Sequence, residues 1–198
     1  MLQTDALITY GPLAIITVAL MWGIGRILYL SLVEKVTVVS FLARKKTPAE
    51  IGLGVIAVIL DGYLVFRPFI PTLDTLVFAQ TSPLPVFGLI LMALAIGLMI
   101  LCQIDMGKSW RIGIPEEIEE SQSLITGGVY GYSRNPIYVA ILVFLIGAAV
   151  LVPGPLTILS VIGTYLLLGP VVQREETFME KAFGDEFRHY KKHVRRWI

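Results

Sequence analysis

Two polar segments of this sequence contain residues suited to binding a charged small molecule. The first, residues 124–138, is a loop rich in glycine and tyrosine that contains Arg134. The second begins with Arg174 and Glu175, shortly after an apolar run. Glycine lets a backbone approach a ligand closely, and the planar guanidinium of arginine binds both oxygens of a carboxylate. These residue types predict a site for a ligand that carries a carboxylate.

The composition indicates that these segments are attached to a membrane-embedded scaffold. The chain has 198 residues, of which 56% are hydrophobic and only 16% are charged. Soluble domains have roughly 45–50% apolar and about 25% charged residues, so the composition is that of an integral membrane protein. The net charge of +1 gives no indication of a nucleic-acid partner. The single cysteine, Cys102, excludes an intrachain disulfide and lies in an apolar run, where plain packing is expected.

The apolar runs predict an all-α fold, with residues 1–198 forming one membrane domain of five transmembrane helices. A helix needs about 20 mostly apolar residues to cross about 30 Å of hydrocarbon. The predicted spans are residues 11–33, 49–66, 84–104, 137–152 and 155–172. Pro153-Gly154-Pro155 leaves room only for a tight turn, so we predict that the last two spans form an antiparallel hairpin. The polar parts are a loop, residues 105–136, and a tail, residues 173–198.

The basic residues predict the orientation of these spans. Fourteen of the 16 lysines and arginines lie in residues 34–48, in the loop 105–136 or in the tail, and the exceptions are Arg26 and Arg67. Among those fourteen are Lys35, Arg44, Lys45, Lys46, Lys108, Arg111, Arg134 and Arg174. Basic loops stay in the cytoplasm. We therefore expect the N-terminus outside and the C-terminus inside.

Local patterns predict how the helices begin. Thr47 and Glu50 form a capping box around Pro48, which places the start of the second helix there. Pro136 suits the first position of a helix, with Asn135 as its N-cap. The positive end of that helix would stabilise a ligand carboxylate.

The hairpin brings the loop and the tail to one membrane surface. Because its arms are antiparallel, the start of the first arm lies beside the end of the second, and Asn135 and Glu175 become neighbours. The sequence therefore predicts a cytoplasmic pocket that is built from the loop and closed by the tail.

Several residues in the spans and in the tail allow more than one interpretation. Arg26 and Asp61 are costly inside a bilayer and are expected to pair with each other, bond to backbone or line the pocket. Glycines in the first two spans favour close packing of helices or contact between protomers; they are Gly23, Gly25, Gly52 and Gly54. Basic residues of the tail suit contact with anionic lipid; they are Lys191, Lys192, Arg195 and Arg196.

The loop, the hairpin and the pattern Glu-Glu…Phe-Gly-x-Glu-x-x-x-Tyr after it resemble the isoprenylcysteine carboxyl methyltransferase family. That family shares its C-terminal core with the phospholipid methyltransferases, and the resemblance extends from Leu124 to Trp197. It implies S-adenosylmethionine as cofactor, with S-adenosylhomocysteine as product, bound without a Rossmann fold. The sequence has no G-x-G-x-x-G pattern, which agrees with that expectation. No metal site is expected.

The resemblance also implies which residues hold the cofactor and the acceptor. The expected cofactor-binding residues are Ser123, Leu124, Ile125, Gly127, Val129, Tyr130, Asn135, Pro136, Ile137, Tyr138, Glu175 and Glu176. Arg174 and Arg134 are the expected catalytic residues, each a candidate for binding an acceptor carboxylate. The family usually has histidine where this chain has Asn135, so a titrating imidazole is absent there. Eukaryotic members place a substrate-binding arginine where this chain has Val171, which leaves the acceptor open.

The expected function is methylation of a membrane-embedded or lipidic acceptor, for instance the carboxylate of an isoprenylcysteine. Such a carboxylate is ionised at neutral pH and needs no base, so catalysis would rest on positioning and desolvation. Partners would be a lipidic or prenylated substrate and membrane lipids, with the oligomeric state open. Two alternatives remain at this stage: an NADPH enzyme on a core like that of sterol reductases, and a non-enzymatic scaffold or transporter.

Overall fold

The computed structural model describes residues 2–35, 46–110 and 123–198. Its helices are α1 (Leu2–Leu32), α2 (Pro48–Phe66), α3 (Thr72–Leu76), α4 (Pro85–Met106), α5 (Pro136–Leu151) and α6 (Pro155–His193), with 3-10 turns at Gly107–Ser109 and Gly128–Gly131. Within these ranges every regular element is helical, which confirms the all-α class. The predicted cytoplasmic residues Arg44, Lys45 and Arg111 lie outside the described residues.

Four of the helices, α1, α2, α4 and α6, are long and apolar enough to cross a membrane. The first arm of the hairpin, α5, has only 16 residues. At about 1.5 Å per residue it is roughly 24 Å long, which is shorter than the hydrocarbon layer of about 30 Å. The hairpin itself is present, but the count of five spans stays a prediction.

Two helices extend beyond the predicted spans, whose limits in a membrane stay a prediction. Helix α1 begins at Leu2, nine residues before the predicted span, and Pro12 lies buried inside it. Helix α6 continues past residue 172 to His193, with a kink at Gly184, where φ is 51° and ψ is −120°. The residues after 172 include many good helix formers, such as Glu, Lys, Met and Ala. Some of their side chains are also buried, and the helix therefore continues beyond its apolar residues. The buried side chains are those of Glu176, Phe187 and Tyr190.

The start of α2 is the local structure that the sequence predicted. Thr47 Oγ1 accepts a hydrogen bond from the Glu50 amide at 3.2 Å, and Glu50 Oε2 accepts one from the Thr47 amide at 2.7 Å. Arg174 Nη1 lies 3.5 Å from the same Glu50 oxygen. The capping box therefore also connects α2 to α6.

Helices α4 and α5 approach each other most closely at two glycines. A Cβ atom on Gly88 would lie 2.6 Å from the Leu151 amide nitrogen, and one on Gly147 would lie 2.8 Å from the Gly88 carbonyl oxygen. Small residues at a crossing allow such backbone contact. Of the glycines that the sequence marked for packing, Gly52 contacts Leu167, whereas Gly23, Gly25 and Gly54 have open space around them.

Arg26 bonds to backbone, which is one of the alternatives that the sequence left open. Its Nη2 donates to the carbonyl oxygens of Gln103 at 3.1 Å and Gly107 at 2.9 Å. Trp22 Nε1 donates to Gln103 Oε1 at 2.9 Å. Since the last carbonyls of a helix have no partner within it, this contact from α1 fixes the end of α4.

We predict that Gly147→Ala lowers the stability of the protein, because the added methyl group meets the backbone of α4. Overpacking of this kind costs roughly 1–3 kcal/mol. Gly97→Ala on α4 is the matched control, since its Cβ meets nothing within 4 Å. Thermal unfolding in detergent should show a lower Tm for Gly147→Ala and an unchanged or higher Tm for Gly97→Ala. Equal Tm values for the two variants would contradict the close contact between these helices.

Candidate functional site

The glycine-rich loop is attached to the end of α4 through Asp105. The Val129 amide donates to Asp105 Oδ2 at 2.8 Å. The preceding residue, Gly128, has φ of 58°, a conformation that side chains disfavour. A Cβ there would also overlap the Asp105 carboxylate. Glycine at this position therefore lets the 3-10 turn sit directly on the carboxylate.

The other side of the turn is held by the second half of α6. Tyr190 donates its hydroxyl proton to the carbonyl oxygen of Tyr130 at 2.6 Å. Leu124, Phe187 and Tyr190 form a buried apolar cluster beneath the loop. The Tyr130 side chain is itself buried, and desolvation raises the pKa of its hydroxyl above the ordinary value. Tyr130 therefore stays protonated at neutral pH.

An ion cluster, buried at Arg134 and Glu176 and exposed at Arg196, joins the loop to the C-terminal residues. Glu176 Oε1 accepts from Arg134 Nη2 at 2.9 Å, and Glu176 Oε2 accepts from Arg196 Nη2 at 2.6 Å. The side chains of Arg134 and Glu176 are only 9% and 8% exposed. The hydrogen bond to Glu176 raises the pKa of the Arg196 guanidinium. One carboxylate thus bridges two permanent cations.

The last residues of the chain lie across the loop. The Arg134 amide donates to the Arg195 carbonyl oxygen at 2.9 Å, and Arg134 Nη1 donates to the carbonyl oxygens of Lys191 at 2.8 Å and Val194 at 3.1 Å. These hydrogen bonds hold the tail against the loop, and closure of a cofactor pocket by the tail stays a prediction.

Asn135 occupies the N-cap position of α5, but its side chain does not cap the helix. Its Nδ2 donates instead to the Arg196 carbonyl oxygen at 3.0 Å. Asn135 is thus the N-cap residue by position, as predicted, while its side chain binds the tail. Pro136 is the first residue of the helix, as predicted, and is buried.

The two arms of the hairpin meet again at their polar ends. Tyr138 donates its hydroxyl proton to Glu175 Oε2 at 2.9 Å, across 37 residues of sequence. The neighbouring pair of Arg134 and Glu176 makes the same connection. The start of α5 therefore lies beside the polar part of α6, as an antiparallel hairpin requires.

The two arginines expected to bind an acceptor have different surroundings. Arg134 is engaged by Glu176 and by backbone carbonyls, although its Nε has no hydrogen-bond partner. The Arg174 side chain is 39% exposed, and its Nη1 forms an ion pair with Glu50 Oε2 at 3.5 Å. Arg174 is therefore the more accessible cation of the two.

The remaining predicted residues lie along the loop and the start of α5. Leu124 is buried, whereas Ser123 and Gly127 are exposed, and Ile125, Val129 and Ile137 are half-buried. Sequence reasoning left out two residues that hold the loop, Asp105 and Tyr190. Tyr190 ends the Phe-Gly-x-Glu-x-x-x-Tyr pattern, so a signal for it existed. For Asp105, the only signal in the sequence was its position at the end of an apolar run.

An apolar groove opens beside these polar contacts. It has a volume of about 300 Å³ and lies between α5, α6 and the end of the chain. Its lining residues are Val139, Leu142, Val143, Tyr165, Trp197 and Ile198. In the described part of the chain, no cluster of three or more His, Cys, Asp or Glu side chains is arranged to hold a metal ion.

Known proteins similar to this chain include isoprenylcysteine methyltransferases. The protein-S-isoprenylcysteine O-methyltransferase of Xenopus laevis is 28% identical over 127 residues, which are 62% of this chain and 44% of that protein. The human protein of the same name is 27% identical over 116 residues, which are 58% of this chain and 41% of that protein. The alignments thus span less than half the length of these relatives.

A solved structure shows the same fold. It is that of a eukaryotic intramembrane Ras methyltransferase, isoprenylcysteine carboxyl methyltransferase. It matches with a TM-score of 0.55 and 21% identity, over 76% of this chain and 52% of the other. The fold expected from the loop and the hairpin is therefore confirmed.

The family comparison covers the elements that build the site. The phospholipid methyltransferase family matches residues 84–186, which is more than half of the sequence. This region contains α4, the glycine-rich loop, both arms of the hairpin and the acidic pair at residues 175–176. The chain therefore belongs to the phospholipid methyltransferase family.

Proposed function

We propose that this protein is an S-adenosylmethionine-dependent carboxyl O-methyltransferase that acts on a membrane-embedded or lipidic acceptor. The observation that carries the proposal is the contact between Tyr138 and Glu175 at 2.9 Å. It places a carboxylate from α6 at the start of α5, next to the glycine-rich loop and close to an apolar groove. A polar cofactor and an apolar acceptor would need such neighbouring environments.

The residues around this contact have the chemistry to hold S-adenosylmethionine. Glu175 carries a carboxylate that can accept hydrogen bonds from ribose hydroxyls or an ammonium group. Gly127 is exposed, with open space where a Cβ would point, so a ligand can approach the backbone there. The neutral Tyr130 ring adds an apolar surface. The remaining cofactor residues of the proposal are those named from the resemblance, from Ser123 to Tyr138, with Glu176 serving the ion cluster.

The proposed cofactor supplies a methyl group on a sulfonium, whose leaving group is neutral and needs no acid. The acceptor carboxylate is ionised at neutral pH, so it needs no base. The task left to the protein is to orient the acceptor and to exclude water. We assign the acceptor carboxylate to Arg174, since its fork is accessible and suits two oxygens. Arg134 then has a positioning role, because it holds Glu176, the neighbour of Glu175, through a hydrogen bond.

The apolar groove supports a lipidic acceptor. It opens between α5 and α6, whose outward residues, such as Tyr165 and Ile146, are 63% and 44% exposed. An isoprenyl or acyl chain lying in this groove would remain in a hydrocarbon-like environment while its polar end reached the loop. This arrangement gives a reason for a methyltransferase to be embedded in a membrane.

The first test measures binding of S-adenosylhomocysteine to detergent-purified protein by calorimetry. We expect Glu175→Gln and Tyr138→Phe to weaken binding by about 10- to 100-fold, since a hydrogen bond to a charged group contributes roughly 1.5–3 kcal/mol. Glu186→Gln, an exposed change on the same helix, is the control and should bind like the wild type. Binding of NADPH but not of S-adenosylhomocysteine would favour the reductase alternative, and binding of neither would leave a scaffold.

The role of Arg174 is tested by methylation of an isoprenylcysteine. Arg174→Gln should lower kcat/KM for the acceptor by about 10- to 100-fold, as expected for loss of a charge-assisted pair, and leave S-adenosylhomocysteine affinity unchanged. Glu50→Gln separates this effect from loss of the contact between α2 and α6. A wild-type kcat/KM for Arg174→Gln would assign the carboxylate to another group.

The orientation of the chain is a further part of the proposal. Excess Lys and Arg on one side places the C-terminus and the site in the cytoplasm, with the N-terminus outside. Fusions of alkaline phosphatase, which is active only outside, and of green fluorescent protein to the C-terminus should give fluorescence without phosphatase activity. The reverse pattern would invert the topology.

A further inference from the structure

The last four lysines and arginines of the tail are all exposed, but they differ in their ion-pair partners. Helix α6 is followed by Val194, which has extended backbone with φ of −116° and ψ of 132°. The Arg196 guanidinium donates to Glu176, although the side chain is 42% exposed. Arg195 is exposed, as is Lys192 before it. The sequence grouped these residues together, but the structure assigns Arg196 to the ion cluster.

The exposed cations have few acidic neighbours. Lys191 lies 3.7 Å from Glu180, and Arg188 is paired with Asp185 at 2.6 Å. Throughout the described ranges, no Asp or Glu lies within ion-pair distance of Lys192 or Arg195. Two positive charges therefore remain uncompensated at the end of the chain.

The residues that follow these charges lie against the apolar part of the helices. Trp197 and Ile198 line the groove with Val139 and Leu142. At about 1.5 Å per residue, Leu142 is roughly 9 Å along α5 from its first residue. Arg195 precedes Trp197 by two residues, which span at most about 7 Å. In a bilayer crossed by the hairpin, Trp197 and Ile198 would lie beside hydrocarbon and Arg195 would lie close to the lipid headgroups.

We propose that Lys192 and Arg195 bind anionic phospholipid headgroups, and that this contact holds the tail over the loop. Each basic residue near an anionic membrane surface strengthens binding to that surface by roughly fivefold, and the free energies of several such residues add. The carbonyl oxygen of Arg195 accepts from the Arg134 amide, and that of Arg196 accepts from Asn135. Lipid binding and closure of the site therefore act on the same residues.

This inference needs neither a substrate nor the proposed reaction. The family match ends at residue 186, before Lys192 and Arg195. The lipid contact is thus a property of this chain's own C-terminal residues, and it remains testable if the cofactor proposal fails.

The test is hydrogen–deuterium exchange of the full chain in nanodiscs. One set contains neutral phosphatidylcholine and the other contains about one third phosphatidylglycerol. We expect exchange in peptides covering residues 194–198 and 129–135 to be roughly ten- to thirtyfold slower in the anionic nanodiscs, as two basic residues near such a surface imply. High salt should remove the difference, because it screens surface charge.

The double variant Lys192→Gln/Arg195→Gln should lose this response while exchanging like the wild type in neutral nanodiscs. Lys35→Gln/Lys181→Gln, which removes the same charge from exposed positions elsewhere, should keep it. Three results would overturn the proposal: equal exchange in both nanodiscs, an unchanged response in the tail variant, or the same protection from inorganic phosphate in neutral nanodiscs. Faster exchange of the variant in neutral lipid would also count against it, since the residues would then act through protein contacts.

Discussion

The organisation of the site depends on the Glu176 carboxylate, which accepts hydrogen bonds from Arg134 and from Arg196. Arg134 belongs to the loop, Glu176 to α6 and Arg196 to the tail, so three separate parts of the chain meet at one group. A buried charge is costly unless it is paired, and the Glu176 carboxylate is only 8% exposed, whereas Arg196 is 42% exposed. The tail is therefore held by more than surface contacts.

The scaffold beneath this cluster is positioned by close backbone contacts and by charged side chains that bind backbone groups. Gly88 and Gly147 let α4 and α5 cross at close distance, and Arg26 fixes the end of α4. Asp105 extends from that end and carries the turn at Gly128. An error in the helix crossing would thus be transmitted to the loop, because each contact in the series has little freedom.

The sequence could predict those features that depend on interactions between residues close together in the chain. The start of α2 was predicted because Thr47 and Glu50 are three residues apart, and the hairpin because Pro153-Gly154-Pro155 permits little but a turn. The helical structure of residues 173–193 was not predicted, because contacts distant in sequence, such as that of Tyr190 with Tyr130, leave no local pattern. The periodicity of apolar residues in a helix does not indicate a partner that lies 60 residues away, as Tyr130 does from Tyr190.

The site residues divide in the same way. The residue types and the resemblance predicted that the loop and the acidic pair form one site. The predicted hairpin placed both at the same membrane surface. The pairing within that set was beyond the sequence: Asn135 bonds to a carbonyl 61 residues away instead of capping its own helix. Nor does a glycine reveal which side of its helix meets a neighbour, so Gly23 and Gly88 look alike until the packing is known.

The shortness of α5 has a consequence for the surrounding bilayer. With 16 residues, the helix is mismatched to a hydrocarbon layer of ordinary thickness. Lipids beside a short hydrophobic segment adapt by local thinning, at a modest cost for each ångström. Thinning at the hairpin would bring the two leaflets closer together where an amphiphile would enter. For an α5 that crosses the bilayer, membrane thickness would then influence how far the polar head of such an amphiphile must travel.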